Sequence, residues 1–345
     1  GDGATPLARV HTDTRTLQPG DLFVALKGER FDANAFLADA RAGGAAAAIA
    51  HGGLEAAGLS GIEVPNSLAA LGALATGWRA QFHLPLIGVT GSNGKTTTKD
   101  MVAAVLAKRF NVYKTQANFN NEIGVPMTIL EMKPITEILV LEMGMDRAGQ
   151  LHELSQLARP DVAVITMIGE AHIEFLGSRD KIADAKMEIT DFLQEDGEFI
   201  YNGDEPLLAE RAAKLSQDKS TFGFADSDSI HASDLRSTMH HSFFKINGTD
   251  REFSIPMIGR HNVANAMAAI LVGRHFGESD EEIAAGLANF VPTANRMEWE
   301  KGDCGEDIMS DIYNSNPTAV KAVTASFGQV PVSEGGRRIA VLADM

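Results

Sequence analysis

The sequence is poor in cysteine and has no excess of basic residues. Cys304 is the one cysteine among 345 residues, so the chain can form neither an internal disulfide nor a cysteine-based zinc site, which fits a reducing compartment. The net charge of -16 argues against a nucleic-acid backbone or an anionic membrane as the main partner, because either would favour a basic surface. We therefore expect no nucleic-acid partner.

Long apolar segments are also missing. No run approaches the roughly 18 to 20 residues of a membrane-spanning helix, and no basic start leads into an apolar secretory core. Hydrophobic residues make up 44% and charged residues 22% of the chain, values typical of globular proteins. The length is enough for about two or three domains. These features predict a cytoplasmic protein without a membrane span.

The most informative segment is a glycine-rich turn, Gly-Ser-Asn-Gly-Lys-Thr-Thr-Thr, at residues 91–98. It follows an apolar run typical of a strand and opens a segment typical of a helix. Such glycines let backbone N–H groups approach phosphates, Lys95 can reach the β and γ phosphates, and Thr96 can ligate Mg²⁺. The residues expected to bind a nucleotide here are Gly91, Ser92, Asn93, Gly94, Lys95, Thr96 and Thr97.

Two observations qualify this motif. The usual pattern has glycine where this chain has Val89, so the loop is a variant. A turn that only joins a strand to a helix is the alternative, and a lysine followed by three threonines argues against it. The segment therefore predicts binding of a nucleoside triphosphate.

Apolar strands alternate with amphipathic helices from about residue 85 to residue 292, which predicts an α/β fold with a mostly parallel sheet. Candidate strands are residues 138–141, 162–165 and 199–201. Polar side chains follow them at Glu142, Glu170 and His172. Because ligands of open α/β sheets bind at the carboxyl ends of strands, we expect these residues near the nucleotide.

We predict three domains, at residues 1–83, 84–298 and 299–345. The third begins with a strand at residues 307–311 and a helix after Pro317, and a further strand follows at Ile339. The chain starts with glycine and stops in that apolar segment, so we expect an incomplete Rossmann-like domain from a longer protein.

A series of motifs along nearly the whole chain resembles the Mur ligase family of ATP-dependent amide-bond-forming enzymes. The motifs lie at residues 12–15, 20–28, 91–98, 118–126, 142–145, 168–172, 186, 259–266, 296–298 and 313–317. Seven or more motifs in the right order are much more specific than one. The resemblance implies the three-domain Mur ligase architecture, with ATP, Mg²⁺ and an acyl-phosphate intermediate in the synthesis of a peptidoglycan precursor.

The resemblance implies Thr96, Glu142, His172 and Lys186 at a site for two Mg²⁺ ions, with Lys186 carrying a carbamate. A carboxylate and one imidazole suit Mg²⁺. Taken alone, Glu142 is a strand-end carboxylate and His172 a capping or packing histidine. Spacing alone predicts a solvated lysine at Lys186, on a helix beginning near Arg179.

The resemblance also implies that Asn262 and Asn265 face adenine, that Arg296 contacts phosphate and that Asp311 binds ribose. An amide offers both the donor and the acceptor that the edge of adenine requires. Helix capping by Asn262 is the alternative. The residues expected to act in catalysis are Lys95, His172, Lys186 and Arg296.

Residues 313–317, Tyr-Asn-Ser-Asn-Pro, resemble the family member that adds a dipeptide. The implied partners are UDP-N-acetylmuramoyl-tripeptide and D-alanyl-D-alanine, and we expect the protein to be a monomer. Candidate substrate-binding residues are Arg15, Lys27, Asn118, Asn121, Tyr313 and Asn314. Residues 31–36 and 293–296 depart from the common family forms, which bears on the uridine contacts and on the loop before Arg296.

Two other functions stay open at this point. One is a related ligase of the same fold that adds a single amino acid, or a folylpolyglutamate synthase, and the motif at Tyr313 argues against both. The other is a regulatory nucleotide-binding module without catalysis, which the presence of Lys95, Glu142, His172 and Lys186 disfavours. The third residue of the peptide stays open between lysine and diaminopimelate.

Overall fold

The computed structural model describes residues 4–28, 31–332 and 335–342. The described chain divides into two compact units. The first contains the residues up to His83 together with Thr115–Ile135, and the second contains Leu84–Lys114 and the residues from Thr136 onward. The three-domain division stays a prediction.

The first unit is built on a four-stranded parallel sheet. Its strands are β1 (Val10–His11), β2 (Leu22–Val24), β3 (Ala47–Ala50) and β4 (Gly61–Glu63), in that order across the sheet. Its helices are α1 (Leu37–Ala42), α2 (Leu54–Ala57), α3 (Ser67–Arg79) and α5 (Gly124–Leu130). In β3, Ala48, Ile49 and Ala50 are buried in the core, where small alanine side chains allow close packing.

The second unit is built on a nine-stranded sheet. Its strands are β5 (Leu86–Thr90), β6 (Val112–Lys114), β7 (Ile138–Glu142), β8 (Val162–Ile165), β9 (Glu198–Asn202), β10 (Asp218–Gly223), β11 (Ile230–Ser237), β12 (Ser242–Ile246) and β13 (Glu252–Ile255). Their order is β13-β12-β11-β10-β9-β8-β5-β7-β6. All pairs from β6 to β11 are parallel, and β11, β12 and β13 pair antiparallel. The predicted α/β class with a mostly parallel sheet is confirmed.

Strand β5 lies between β7 and β8, where the strand order reverses. All five of its residues are buried. In open parallel sheets such a reversal opens a crevice at the carboxyl ends of the strands, and ligands bind there. The glycine-rich turn follows β5 at this point.

The helices of the second unit are α4 (Lys95–Leu106), α6 (Gln150–Ala158), α7 (Ile173–Leu176), α8 (Arg179–Met187), α9 (Pro206–Ala212), α10 (Arg260–His275), α11 (Asp280–Ala288) and α12 (Pro317–Gln329). Helix α4 packs against α10 and α11. The approach of α11 depends on Gly286, since a Cβ there would lie 2.7 Å from Val105 Cα. No helix among the residues described above is long and apolar enough to cross a membrane.

The end of the chain differs from the expectation. Strands β14 (Glu298–Lys301) and β15 (Asp307–Ser310) form an antiparallel pair, and helix α12 follows Pro317 as predicted. The strand predicted at Ile339 is absent from residues 335–342, and Ile339, Val341 and Leu342 are exposed. A strand needs a neighbour for its backbone hydrogen bonds, and none pairs with this segment in the described chain. Residues 343–345 of the predicted strand lie outside the described residues.

Glu278, between α10 and α11, is a buried carboxyl whose two oxygens have no hydrogen-bond partner in the described chain. Burial, with Glu282 adding to it, raises its pKa from the usual 4.5 to about 7, against the opposing charges of Arg109 and Lys108. Because the pKa of Glu278 is higher in the folded than in the unfolded protein, its contribution to the free energy of unfolding is fully present below pH 4.5. This contribution is lost as the pH rises through about 7, where the buried carboxyl ionises.

We therefore expect Glu278→Gln to raise the free energy of unfolding at pH 8.5 by about 2 kcal/mol and to change it little at pH 5. Urea unfolding at the two pH values measures this difference. The exposed Glu195 provides the control, and Glu195→Gln should be neutral at both. Equal stability of wild type and Glu278→Gln at pH 8.5 would show that the carboxyl ionises without penalty.

Candidate nucleotide-binding site

The glycine-rich turn has a backbone that requires its glycines. Gly91 and Gly94 adopt φ angles of 148° and 84°. A Cβ on Gly91 would collide with Thr166 Oγ1, and one on Gly94 would lie 2.5 Å from Asn265 Oδ1. Residues after β8 hold the loop, since Ser92 N donates to Met167 O at 3.0 Å and Thr166 Oγ1 donates to Asn93 O at 2.5 Å. The loop is thus preformed by its contacts with neighbouring elements.

Lys95, the first residue of α4, extends back across this loop. Its Nζ donates to Gly91 O at 2.9 Å. Burial lowers the pKa of Lys95, Arg296 lowers it further, and Glu142 opposes the shift. Phosphate oxygens at the loop would therefore stabilise the charged amine by supplying negative charge.

Several polar atoms beside the loop are buried without a hydrogen-bond partner among the described residues. They are Thr90 Oγ1, Ser92 Oγ, Thr98 Oγ1 and Arg296 Nε. Each such group costs about 1–3 kcal/mol when it is left unsatisfied. All four groups, three hydroxyls and one guanidinium N–H, can donate a hydrogen bond, so an anionic ligand at the loop would explain why they have no partner.

Glu142 ends β7 next to β5, where it pairs in register with Val89. It is buried together with Lys99 and Asp100 of α4. Lys99 Nζ lies 4.0 Å from Glu142 Oε2 and 3.3 Å from Asp100 Oδ1. Asp100 also accepts from Lys114 Nζ and from Thr293 Oγ1, each at 2.5 Å. Buried charges are tolerated when they are paired in this way, so the network keeps a carboxylate beside the phosphate loop.

The donors beside the loop suit magnesium. Thr96 is buried in the first turn of α4, and Glu142 supplies carboxylate oxygens. No three His, Cys, Asp or Glu side chains within the described ranges converge on one point. Mg²⁺ in nucleotide sites takes one or two protein carboxylates and fills its other positions with phosphates and water, so this donor set fits that ion.

His172 follows β8 and precedes α7 with a φ of 65°, a left-handed backbone that is uncommon for residues other than glycine. Its side chain is exposed. Although the residue as a whole is exposed, partial desolvation of the ring lowers its pKa, as do the charges of Lys186 and Lys95, whereas Asp146 and Glu174 oppose the shift. His172 therefore lies in the electrostatic field of both lysines.

Lys186 contradicts the expectation from spacing alone, because it is buried in α8 with 2% of its surface exposed. Burial lowers its pKa well below the usual 10.5, and the positive charge of Lys95 lowers it further. No carboxylate in the described chain offsets these effects. A buried lysine in these surroundings favours the neutral amine, which is a nucleophile.

Asn262 and Asn265 lie one turn apart on α10 and are buried. Asn262 Nδ2 donates to Ile258 O at 2.8 Å, and its Oδ1 accepts from Asn265 Nδ2 at 3.3 Å. Gly259 is the N-cap of α10, so capping by Asn262 is excluded. Asn265 lies against the loop at Gly94, which places this pair at one side of the loop.

Arg296 and Asp311 also belong to this region. Arg296 Nη2 donates to Thr96 Oγ1 at 3.1 Å, and its guanidinium lies 4.2 Å from the ring centre of Tyr313. Asp311 Oδ1 accepts from Met297 N at 3.2 Å. Burial raises the pKa of Asp311 and outweighs both the hydrogen bond from Met297 N and the opposing charge of Arg296.

The predicted substrate-binding residues fall in both units. In the first unit, Arg15 pairs with Asp13 at 2.6 Å and Lys27 with Asp32 at 3.7 Å, and both basic side chains are largely exposed. The exposed Asn118 is also there, and Asn121 Oδ1 accepts from Gly124 N, the first residue of α5, at 2.9 Å. In the second unit, Tyr313 and Asn314 are exposed just before α12.

Sequence reasoning missed several residues of the loop region. Thr166 comes directly after β8, and the position of a polar residue at that strand end could have indicated it. Lys99 follows Lys95 by one helical turn, so it shares a helix face with the loop lysine. Asn316 contacts Asn93 of the loop, and the separation of 223 residues leaves no local signal for this pair.

Comparison with known families matches two segments of the chain. Residues 89–273 match the Mur ligase middle domain, and residues 7–79 match the Mur ligase family catalytic domain. Among curated relatives, the UDP-N-acetylmuramoyl-tripeptide--D-alanyl-D-alanine ligase of Bacillus subtilis (strain 168) is 45% identical over 99% of this chain and 74% of its own length. The ligase of the same name from Escherichia coli (strain K12) is 36% identical over 98% of this chain and 75% of its own length.

Solved structures agree with these relatives. MurF from Acinetobacter baumannii superimposes with a TM-score of 0.88 at 33% identity, over 93% of this chain and 71% of that chain. MurF ligase from Thermotoga maritima in complex with ADP superimposes with a TM-score of 0.84 at 30% identity, over 96% of this chain and 77% of that chain.

Proposed function

Since this chain belongs to the Mur ligase family, we propose that it uses ATP to join D-alanyl-D-alanine to UDP-N-acetylmuramoyl-tripeptide. The chain is an ATP-dependent ligase of peptidoglycan precursor synthesis. The choice of acceptor follows from its relatives, which are UDP-N-acetylmuramoyl-tripeptide--D-alanyl-D-alanine ligases. The observation that carries the proposal is the glycine loop with Lys95 across it, next to the segment at Tyr313 that resembles the dipeptide-adding member.

The proposed reaction has two steps. A carboxylate oxygen of the tripeptide attacks the γ-phosphorus of ATP, the bond to the β,γ-bridging oxygen breaks, and ADP leaves an acyl phosphate. The amine of the dipeptide then attacks the acyl carbon, loses a proton and expels inorganic phosphate. In this scheme Lys95 and Arg296 are cations that stabilise the charge developing on the transferred phosphoryl group.

We place Mg²⁺ at Thr96 and Glu142, because the donors there fit it, and a second Mg²⁺ towards His172 and Lys186. Bound Mg²⁺ supplies a Lewis acid that neutralises phosphate charge. Lys99, which lies 4.0 Å from Glu142 Oε2, supports this assignment because its charge favours an ionised carboxylate at that position. Glu142 contributes hard carboxylate oxygen, and His172 contributes one imidazole nitrogen.

We further propose that Lys186 carries a carbamate. Its neutral amine would add to the carbon of CO₂, form an N–C bond and lose one proton, which leaves an anion in place of an amine. The low exposure and the strongly lowered pKa of Lys186 support this step, because only the neutral amine reacts. The anion would also offset the positive charge of Lys95.

The remaining site residues receive roles by the same reasoning. Asn265, which lies against Gly94, and its partner Asn262 would contact the adenine edge, and Asp311, which lies near Arg296, would contact the ribose. Arg15, Lys27, Asn118 and Asn121 are proposed contacts of the UDP-sugar peptide, and Tyr313 with Asn314 of the dipeptide. We expect the protein to act as a monomer in the cytoplasm, where ATP is available.

Phosphate release tests the reaction and its acceptor together. ATP, Mg²⁺ and UDP-N-acetylmuramoyl-tripeptide are combined with D-alanyl-D-alanine or with single amino acids, and free phosphate is measured. We expect release that depends on the dipeptide. Release with a single amino acid would identify a related ligase, and tight ATP binding without release from any acceptor would favour the regulatory alternative.

A further inference from the structure

The side chain of Asn93 in the glycine loop is engaged by a residue far away in sequence. Asn316 Nδ2 donates to Asn93 Oδ1 at 2.8 Å, and Asn93 Nδ2 donates to Asn316 Oδ1 at 3.3 Å. The two amides thus form a reciprocal pair. Both polar atoms of the Asn93 side chain take part in it, so the side chain is bound to Asn316.

Asn316 also caps a helix. It is the N-cap of α12, where its Oδ1 accepts from Ala319 N at 3.0 Å and Pro317 follows at the first helical position. Asparagine and proline are favoured at these two positions. The amide pair therefore joins the start of α12 directly to the phosphate loop.

A second contact holds the same segment. Arg296 stacks on the Tyr313 ring and also donates to Thr96 Oγ1 of the loop helix. Stacking of arginine on an aromatic ring is worth about 0.5–2 kcal/mol. Residues 313–316 are thus connected to the loop at both ends, by the Tyr313 ring and by the Asn316 amide.

We propose that Asn93 and Asn316 are a positioning pair that couples nucleotide binding at the phosphate loop to docking of residues 313–316. A nucleotide bound at the loop stabilises the docked segment, and a dipeptide that binds the docked segment strengthens nucleotide binding by the same factor, since coupling is reciprocal. The dipeptide part rests on the proposed function. In this proposal Asn93, which the sequence placed among the nucleotide-binding residues, acts through Asn316 and the segment that carries Asn314, and not by side-chain contact with a reactant.

A double-mutant cycle tests the pair with Asn93→Ala, Asn316→Ser and the double variant. Serine is as good an N-cap as asparagine but is too short to reach Asn93, so Asn316→Ser removes the pair and keeps the cap. Asn66, the N-cap of α3, offers the matched control, because Asn66→Ser makes the same exchange at a cap in the other unit. Three quantities are measured: kcat with the dipeptide, the Kd of a non-hydrolysable ATP analogue, and hydrogen exchange of α12 with and without the analogue.

We expect each single variant and the double variant to lower kcat by the same factor, about tenfold, because the second change removes nothing further. The Kd of the analogue should change by less than about threefold, and the analogue should no longer protect α12 from exchange. Asn66→Ser should match wild type in all three measurements.

Three results would overturn the proposed role of this pair. Effects of the single variants that multiply in the double variant would show independent roles. Weaker analogue binding in Asn93→Ala alone would make Asn93 a nucleotide contact, and full protection of α12 in Asn316→Ser would remove the coupling. If wild type shows no dipeptide-dependent turnover, the proposed function fails. The binding and hydrogen-exchange measurements still test whether the pair couples the loop to α12.

Discussion

Replacing Lys95 by methionine should lower ATP-dependent turnover by about 10³-fold. Lys95 Nζ lies across the loop at 2.9 Å from Gly91 O, where the phosphates would replace that carbonyl as its acceptor. Charge develops on the phosphoryl oxygens in the transition state, so loss of this cation raises the barrier more than it weakens ground-state binding. Single-turnover measurement of ADP formation, together with calorimetric titration of the ATP analogue, separates the two effects.

Lys214→Met provides the control, because Lys214 is exposed on the same unit and its replacement removes the same charge and stem. Its turnover should equal that of wild type. If Lys95→Met retained more than about a tenth of the wild-type rate, Lys95 would not stabilise the transferred phosphoryl group, and the role proposed for the loop would be wrong.

The phosphate loop was predictable because each of its signals is local. The apolar run before Gly91, the turn and the start of α4 at Lys95 are adjacent in sequence, and the structure has strand, turn and helix in that order. Strands β7, β8 and β9 follow the same rule, since buried parallel strands are short apolar runs. The parallel class of the sheet follows from their alternation with helices.

Lys186 was misjudged from spacing alone although a signal was present. Ile182 and Ala183 of α8 are buried, and Lys186 lies four and three residues after them, on the same helix face. A lysine on an otherwise apolar helix face is unusual, because burying an amine is costly. Such a lysine is therefore a candidate for a functional residue.

Other features depend on contacts between distant segments. Thr115–Ile135 is separated in sequence from the rest of the first unit, and its place there depends on packing of α5 against α3. The segment at Ile339 has the composition of a strand, and composition does not supply a pairing partner. The pair of Asn93 and Asn316 likewise becomes visible only in three dimensions.

Replacing Lys186 by alanine should lower turnover by at least about 10²-fold, and short carboxylic acids such as formate or acetate should restore part of it. The reason is geometric: truncation leaves a space at the position of the proposed carbamate, and a small carboxylate can occupy that space and supply the missing anion. Phosphate release with increasing acid measures the rescue. Intact-protein mass of the wild type under native conditions, with and without isotopically labelled bicarbonate, measures the adduct directly.

Lys181→Ala on the same helix is the matched control, because Lys181 is exposed, so we expect full activity that does not respond to added acid. The carbamate and a simple cationic role make opposite predictions for Lys186→Arg. An anion at this position would offset Lys95, whereas an arginine would add to the positive charge that already lowers the pKa of Lys186 and His172. We therefore expect Lys186→Arg to be as inactive as Lys186→Ala and to be insensitive to acid, because its side chain fills the space. Activity in Lys186→Arg close to that of wild type would exclude the carbamate.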